Sequence, residues 1–346
     1  MVVTLALSTT KMRDEILEIP DAVDRLLTRG ASDTASAAAQ ARELDPPFLL
    51  SVARGSSDHA CTFLKYASEL LLRRPMASVG PSVKSVYDVD LHAQNALCIS
   101  VSQSGQSPDI VSMTDALRAG GAMTVAISND MQSRLAAVAD APLALHAGPE
   151  QSVAATKTFV TSLVAGLWLL AEIKQDAALI SAIRQLPGFL EEACHCDWSI
   201  AANAIDGRSL FTLGRGPSWA ISNEAALKFK ETCLIHAESY SSAEVLHGPV
   251  SIVERGFSVI AFAASDAAEE TVAQTADALV EKGANVFAST AKVQRATCLP
   301  HVRTAHPLTD PLSLIVSFYA MVEAVATSRG IDPDTPRHLK KVTETV

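Results

Sequence analysis

Three charged side chains in the second half of the chain are spaced so that a single helix would align them. Glu224, Lys228 and Glu231 stand four and then three residues apart, which places them on one stripe of a helix beginning near residue 218. Two carboxylates around an ammonium group could supply a base and its charge partners for proton transfer. The same spacing is typical of a salt-bridge ladder on a solvated helix face, and the residues alone leave both interpretations open.

A histidine downstream of this stripe is a second candidate for proton transfer. His247 follows small polar residues and precedes Gly248 and Pro249, a pattern that predicts a loop. An imidazole can accept and return protons near neutral pH, so a loop histidine is a plausible acid or base. A purely structural histidine is the alternative.

A polar segment between an apolar strand and a helix has the composition of an anion-binding loop. Its three hydroxyl groups and free backbone N–H groups, at the positive end of a helix dipole, would bind a phosphate. Pro108 suits the first helical position and Ser107 the N-cap. No lysine follows Gly105, so the segment is not a nucleotide P-loop, and an ordinary capped turn is the alternative. The segment reads Ser102-Gln103-Ser104-Gly105-Gln106-Ser107-Pro108.

Two Arg-Gly turns look like dinucleotide fingerprints but lack the required glycines. The turn at Gly214 and Gly216 has Trp219 in place of the third glycine, and the earlier turn contains only Gly55. Zinc is disfavoured because Cys194-His195-Cys196 is the only cluster of possible ligands. We therefore expect no cofactor and no metal. Six cysteines without a disulfide framework indicate a reducing cytoplasm.

The elements that would position these residues alternate between short aliphatic strands and helices. Such alternation predicts parallel sheets with helices on both faces, an α/β fold. Both halves open with a strand, an Arg-Gly turn and a helix, and Gly216 follows Gly55 by 161 residues (216 − 55), which indicates an internal duplication. The predicted strands lie at residues 48–53, 96–101, 123–127, 143–145, 210–213, 258–262 and 285–288.

The expected organisation is a helical arm followed by two domains. Residues 1–45 form the N-terminal helical arm, with a break at Pro20, because apolar residues recur there at helical spacing. The first domain covers residues 46–205 and the second covers 206–346, including a proline-punctuated tail that extends over the surface. No low-complexity linker separates the halves, so we expect them to pack rigidly.

Composition and charge exclude two classes of protein. The 346 residues carry a net charge of −10, which argues against nucleic-acid binding. The longest apolar stretch, at residues 157–172, is shorter than the roughly 20 residues that a membrane span needs. Only 19% of the residues are charged, and this low fraction favours a surface partly covered by another subunit.

Taken together, these segments resemble the sugar isomerase (SIS) domain family in its tandem, two-domain form. The chain looks most like the SIS-type glucosamine-6-phosphate deaminases and the isomerase half of glutamine:fructose-6-phosphate aminotransferases. The resemblance implies two flavodoxin-like, three-layer domains with N-terminal helices and an extended C-terminal tail. The matching motifs are Arg54-Gly55-Ser56-Ser57-Asp58-His59-Ala60, Ser102-Gln103-Ser104-Gly105, Val153-Ala154-Ala155-Thr156-Lys157, Leu213-Gly214-Arg215-Gly216, Ala226-Leu227-Lys228-Phe229-Lys230-Glu231, His236-Ala237-Glu238, His247-Gly248-Pro249 and the lysine-rich tail.

The resemblance also implies a role for each matching residue. Glu231 would move a proton between C1 and C2, and His247, supplied by the neighbouring subunit, would open the sugar ring. Lys228 and Glu224 would position groups around O1 and the amine, while Lys341 on the tail would close over the open-chain substrate. The residues implied in binding the sugar and its phosphate are Gly55, Ser57, Ser102, Gln103, Ser104, Ser107 and the backbone of Val153.

The implied function is deamination of glucosamine 6-phosphate by water to fructose 6-phosphate and ammonia, in a cytoplasmic homodimer with a shared active site. Ala155 stands where the aminotransferase motif has serine, and position 2 is not cysteine, so glutamine is not expected as an ammonia source. The alternatives are another sugar-phosphate isomerase, a fructosamine-6-phosphate deglycase, an aminotransferase-like protein without glutaminase, and a non-catalytic sugar-phosphate sensor. A sensor is disfavoured because Glu231 and Lys341 are both present.

Overall fold

The N-terminal part of the chain forms three consecutive helices, α1 (Lys11–Leu17), α2 (Ile19–Arg29) and α3 (Ala31–Leu44). The computed structural model describes residues 10–207 and 209–341, so residues 1–9 of the expected arm and 342–346 of the tail lie outside the described residues. Pro20 lies in the first turn of α2, where its missing N–H costs no hydrogen bond. The chain therefore bends between α1 and α2, next to the proline at which we predicted a break.

Five parallel strands form the first sheet, in the order β2-β1-β3-β4-β5. The strands are β1 (Leu49–Val52), β2 (Met76–Ser78), β3 (Leu97–Val101), β4 (Met123–Ser128) and β5 (Ala141–Ala144). The helices that accompany them are α4 (Ser56–Leu71), α5 (Ser82–Ser85), α6 (Pro108–Ala119), α7 (Arg134–Val138) and α8 (Lys157–Lys174). Four of these strands match predicted ones within a few residues. The three-residue β2 was not predicted.

Three helices lead into a second parallel sheet, whose order is β10-β9-β8-β6-β7. The helices are α9 (Ala177–Arg184), α10 (Leu186–Cys194) and α11 (Ser199–Ala204). The sheet and its helices comprise β6 (Ser209–Gly214), α12 (Pro217–Cys233), β7 (His236–Ser241), β8 (Ser258–Ala261), α13 (Glu269–Val280), β9 (Asn285–Ala288), β10 (Thr297–Cys298) and α14 (Asp310–Ser328). The predicted α/β class, two parallel sheets flanked by helices, is confirmed.

The two halves repeat the same local geometry at their first turns. Gly55 has φ +57° and ψ −134°, and Gly216 has φ +59° and ψ −135°. Residues with a side chain rarely adopt this conformation, so both turns depend on glycine. Each glycine immediately precedes a long helix, α4 in the first half and α12 in the second, and these two helices pack against each other. The junction between the halves is therefore built from equivalent elements.

The strand orders locate the crevices where ligands bind in such sheets. In the first sheet the chain runs outward from β1 to β2 in one direction and from β3 to β4 in the other. The loops that follow β1 and β3 consequently separate at their carboxyl ends and leave a crevice between them. The second sheet has the corresponding crevice between β6 and β8.

Two long apolar helices, α8 and α14, pass through the interior of the protein. Among the described residues, only α14 is long and apolar enough to cross a membrane by length and composition, and 78% of its 18-residue window is buried inside the protein. The stretch between Lys157 and Glu172, which we judged too short for a membrane span, belongs to α8. Both helices are buried over most of their length, as expected for core helices.

Candidate active site

The charged stripe on α12 is buried rather than solvated. Glu224 and Lys228 have fully buried side chains, and the Lys228 Nζ lies 3.3 Å from Glu224 Oε1. Lys228 also forms an ion pair with Glu231, whose side chain retains 19% exposure. A surface salt-bridge ladder would be exposed to solvent. The burial of these residues therefore favours the other interpretation, a charged cluster inside the protein that could take part in proton transfer. We call Glu224, Lys228 and Glu231 the α12 triad.

Residues from α4 and α14 complete the surroundings of Glu224. Ser56 Oγ donates to Glu224 Oε1 at 3.0 Å, and His59 Nδ1 lies 2.9 Å from Oε2. The Tyr319 hydroxyl donates to the same carboxylate at 3.4 Å, and Lys228 Nζ donates to Ser56 Oγ at 3.3 Å. The hydrogen bonds around the triad therefore join α12 to the start of α4 and to α14.

Electrostatic pairing keeps the buried groups of the triad ionised. Burial by itself would raise the pKa of Glu224, but the Lys228 ammonium and the hydrogen bonds from His59 and Ser56 hold this pKa below its ordinary value. Burial would lower the pKa of Lys228, yet the carboxylates of Glu224 and Glu231 raise this pKa above its usual range. The cluster thus presents a fixed ammonium beside a partly exposed carboxylate.

The predicted phosphate loop lies between β3 and α6, at the carboxyl end of the first sheet. Gly105 has φ +61°, and a Cβ built on it would stand 2.2 Å from Ser133 Oγ, so only glycine fits. Ser102 and Ser104 accept hydrogen bonds from the backbone N–H groups of Gly105 and Gln106 at 3.2 and 3.3 Å. This folding leaves a turn of serine hydroxyls at the crevice beside β1.

The N-terminus of α6 has the features expected of an anion site. Ser107 occupies the N-cap position, as predicted, but its side chain makes no capping hydrogen bond. Its hydroxyl therefore does not satisfy the first N–H groups of the helix, which a bound anion could do. The loop's other residue with a predicted role, Gln103, is half-buried, and its backbone oxygen accepts from Asn129 N at 3.1 Å.

An ion pair joins the phosphate loop to the turn that contacts the α12 triad. Arg54, in the turn after β1, donates from Nε to Asp109 Oδ2 at 2.9 Å in the first turn of α6. Ser56, two residues later, contacts Glu224 and Lys228. The phosphate loop and the triad therefore lie on either side of one short turn. Gly55 and Ser57, which we predicted to bind phosphate, belong to that turn and to the start of α4.

The C-terminal tail brings Lys341 to the loop between β5 and α8. Lys341 Nζ donates to Glu150 Oε2 at 2.8 Å and to the Ser152 carbonyl oxygen at 2.6 Å. Burial would raise the pKa of Glu150, but Lys341 and the hydrogen bonds from Thr158 hold it below its ordinary value. The predicted contact residue Val153 follows Ser152 directly. The hydroxyls of Ser152 and Thr156 are buried with no hydrogen-bond partner.

Tyr319 links this group to the α12 triad. Its phenol is buried, and burial together with the nearby carboxylates of Glu224 and Glu150 raises the pKa of Tyr319 well above its usual range. The phenol contacts Glu224 directly, and the Glu150 carboxylate is near enough to act on its charge. The tail, which we predicted to extend over the surface, therefore makes a specific contact through Lys341.

His247 lies apart from this group within one chain. It follows a short 3-10 turn (Glu244–Leu246), is exposed, and donates its backbone N–H to Glu244 O at 2.9 Å. Over residues 10–207 and 209–341, no hydrogen bond or ion pair joins His247 to the α12 triad. The segment before it is not all loop, because residues 236–241 form the edge strand β7.

Four residues of the site were not predicted from the sequence: Ser56, His59, Glu150 and Tyr319. Ser56 adjoins the predicted Ser57, and both belong to one motif, so the sequence could not distinguish between the two hydroxyls. Glu150 gave no local signal, because its partner Lys341 lies 191 residues away and Lys157 pairs with Glu18 instead. Tyr319 lies on α14, whose apolar sequence predicts a core helix, so nothing in the sequence indicated a functional role for it.

The part of the chain that is described contains no assembled set of metal ligands. No group of three or more His, Cys, Asp or Glu side chains there is arranged to hold a metal ion. Cys194 is buried with its thiol donating to the Ile16 carbonyl oxygen at 3.4 Å, whereas His195 is exposed and pairs with Glu191. Cys194 and His195 therefore contact different partners and do not face a common site.

Two parallel sheets, each with a crevice at a strand reversal, define a pair of doubly wound α/β domains. The SIS domain model matches residues 48–172 and 205–328, and the chain belongs to the SIS domain family. Its sequence relatives include the isomerizing glutamine–fructose-6-phosphate aminotransferases of Aeropyrum pernix, 32% identical over 349 residues, and Pyrobaculum aerophilum, 31% over 305 residues. The chain is thus related to the isomerase half of these enzymes.

The alignments cover 95% and 84% of this chain but only 56% and 50% of these aminotransferases, so the chain spans about half of their length. Among solved structures, a candidate phosphosugar isomerase from Silicibacter pomeroyi is 62% identical, with a TM-score of 0.92 over 94% of this chain and all of that one. Glucosamine-6-phosphate deaminase from Thermotoga maritima has a TM-score of 0.78 over 97% of this chain and 100% of that one, but at 22% identity it shows only the shared fold.

Proposed function

We propose that the protein is a glucosamine-6-phosphate deaminase that converts its substrate and water to fructose 6-phosphate and ammonia. The observation that carries the proposal is the α12 triad, in which a fully buried Lys228 ammonium lies against the partly exposed carboxylate of Glu231. Such a pair can remove a proton next to a carbonyl and stabilise the negative charge that develops on the oxygen.

The proposed reaction begins with the open-chain amino aldose. Glu231 removes the C2 proton, and the electron pair moves to form a C1–C2 double bond while O1 is protonated. Return of the proton to C1 gives a ketimine at C2. Water then adds to C2, and the C–N bond breaks to release ammonia and leave the ketone of fructose 6-phosphate. No electron acceptor is consumed.

The other residues of the site have proposed roles in binding and orientation. Ser102, Ser104 and Ser107 bind the phosphate at the N-terminus of α6, while Lys341 closes the site from the tail. Glu224 fixes the Lys228 ammonium near O1 and the amine. His247 of a neighbouring subunit opens the sugar ring, which is consistent with its exposure and its separation from the triad within one chain.

A phosphosugar isomerase acting without loss of nitrogen is the second candidate function. The 62% identity to a candidate phosphosugar isomerase favours it. Both reactions use the same proton transfer between C1 and C2, so they differ only in the group at C2. The geometry of the α12 triad serves either reaction.

Product analysis separates the two functions. Purified protein is incubated without glutamine on glucosamine 6-phosphate, and separately on hexose 6-phosphates, and ammonia and ketose phosphate are measured together. Equal amounts of ammonia and fructose 6-phosphate support the deaminase. Ketose formation from a hexose 6-phosphate, with no ammonia from any amino sugar, contradicts the deaminase and supports the isomerase. Addition of glutamine should not change the rate.

A further inference from the structure

Helix α1 contacts the start of the chain segment that carries Lys341. The first two N–H groups of α1, from Lys11 and Met12, each donate to the Asp334 carboxylate at 2.8 Å. The helix is additionally capped by Thr10, its N-cap residue. The first N–H groups of a helix have no partner within the helix, and together with the positive end of the dipole they favour a carboxylate. Here the carboxylate comes from a residue more than 300 positions away.

Asp334 contacts the loop between β5 and α8 as well as α1. Its carbonyl oxygen accepts from Val153 N at 3.3 Å. We call residues 334–341 the C-terminal strap. Between its ends, the side chains at 335 and 337–340 are exposed and only Pro336 is buried. The strap is therefore held mainly at Asp334 and at Lys341.

The same helix holds the loop on which Lys341 docks. The Glu15 carboxylate accepts hydrogen bonds from the backbone N–H groups of Gln151 and Ser152, the latter at 3.3 and 3.4 Å to its two oxygens. The Ser152 carbonyl oxygen in turn accepts from Lys341 Nζ. Glu15 is only 5% exposed, so solvent does not compete strongly for these bonds.

Helix α1 is itself fixed to the core. Thr10 and Arg13 donate to the Glu323 carboxylate of α14, with Thr10 Oγ1 at 2.9 Å and Arg13 Nε at 3.0 Å. Arg13 also donates to the Ala320 carbonyl oxygen at 2.9 Å. Since these contacts do not involve the strap or the loop, α1 can keep its place when either is released.

We propose that Asp334 and Glu15 are positioning residues for Lys341. Asp334 attaches the C-terminal strap to α1, and Glu15 attaches the 151–153 loop to the same helix. Helix α1 is therefore a bracket that holds the strap and the loop together. Asp334 sets where the strap begins, and Glu15 sets the carbonyl oxygen on which the ammonium docks. The inference rests on the proposed function only in that Lys341 serves the sugar-phosphate site.

Hydrogen exchange tests the bracket without any assay of activity. Asp334→Ala should increase exchange at the start of α1, where the Lys11 and Met12 N–H groups lose their acceptor, and in a peptide covering residues 150–153, by about tenfold or more. Exchange in α12 should not change. Asp24→Ala, which removes an exposed carboxylate from α2, is the control and should leave all peptides unchanged. Unchanged exchange in both segments of Asp334→Ala overturns the proposal, as does a general increase that includes α12.

Kinetics tests whether the bracket acts through Lys341. Asp334→Ala and Glu15→Gln should each lower kcat/KM by about tenfold to a hundredfold, with Asp334→Asn intermediate. In a Lys341→Met background, Asp334→Ala should cause little further loss. An equal loss in both backgrounds overturns the positioning role. If the wild-type protein processes no sugar phosphate, the proposed function fails. The exchange experiment would still show whether α1 holds the strap and the loop.

Discussion

At the scale of single residues, the site depends on charges that are stable only as a group. Glu224 and Lys228 are fully buried, and neither could remain ionised there without the other. Ser56, His59 and Tyr319 supply the remaining hydrogen bonds to Glu224. From its spacing alone, Glu224 could belong to a surface ion pair. In the structure it is the centre of a polar network that joins both halves of the protein.

Replacing Glu224 by glutamine should destabilise the protein at neutral pH and reduce the pH dependence of its stability. The change leaves the Lys228 ammonium short of a buried partner, which costs about 3–5 kcal/mol. Because the folded-state pKa of Glu224 is depressed, its stabilisation is present at neutral pH and is lost as pH falls through that pKa, below the ordinary value of 4.5.

Urea unfolding between pH 7 and pH 3 measures this effect. The difference in unfolding free energy between wild type and Glu224→Gln should shrink as the pH falls below about 4.5. Glu43→Gln, on the exposed face of α3, is the matched control and should follow the wild type throughout. A difference that stays constant down to pH 3 would show that the network does not depend on the Glu224 charge.

Among residues, local spacing decides what the sequence can predict. Glu224, Lys228 and Glu231 share one helix, so their periodicity alone indicates that the three side chains lie together. Ser56 and Tyr319 join them from α4 and α14, and no local pattern reports a contact between such distant segments.

At the scale of elements, glycine turns shape the loops that follow the strands. The turn between β3 and α6 needs the positive φ of Gly105, and the equivalent turns at Gly55 and Gly216 need theirs. Aliphatic strands such as β3 and β8 were predictable because apolar runs bounded by turns are a clear signal. β7 was missed because its sequence, HAESYS, is polar, and an edge strand with half-exposed side chains needs no apolar run.

Replacing Gly105 by alanine should weaken sugar-phosphate binding. The new Cβ would meet Ser133 Oγ at 2.2 Å, and the left-handed backbone would add strain of roughly 1–3 kcal/mol. The serine hydroxyls would then shift from their present positions. Isothermal titration with glucosamine 6-phosphate should show a dissociation constant raised by tenfold or more.

Gly188→Ala provides the control for this substitution. A Cβ at Gly188, inside α10, meets nothing within 4 Å, and alanine favours a helix. Its affinity should equal that of the wild type. If Gly105→Ala binds as tightly as Gly188→Ala, the loop after β3 does not hold the phosphate.

At the scale of the whole molecule, the proposed active site extends across the duplication and beyond one chain. The α4–α12 junction joins the two halves, and the tail returns to the loop before α8. The order of elements and the duplication were predictable from the sequence. The return of the tail was not, because residues 334–341 have no periodicity and their position depends on contacts at the two ends.

Mixing two inactive variants tests whether subunits share the site. His247→Ala lacks the ring-opening group and Glu231→Gln lacks the base, so a hybrid dimer should contain one site with both groups intact. We expect about a quarter to a half of wild-type activity per hybrid, measured after co-expression with two affinity tags. Hybrids that form but remain inactive would place His247 and Glu231 in the site of a single subunit.

Proton transfer by Glu231 is the central claim, and solvent deuterium tests it most directly. The protein is incubated with glucosamine 6-phosphate in D₂O, and the fructose 6-phosphate is examined by NMR for deuterium at C1. We predict deuterium at C1 with the wild type, and a rate of product formation lower by about a hundredfold to ten-thousandfold with the nearly isosteric Glu231→Gln. Product formed by Glu231→Gln at the wild-type rate, with the same deuterium content, would contradict the account.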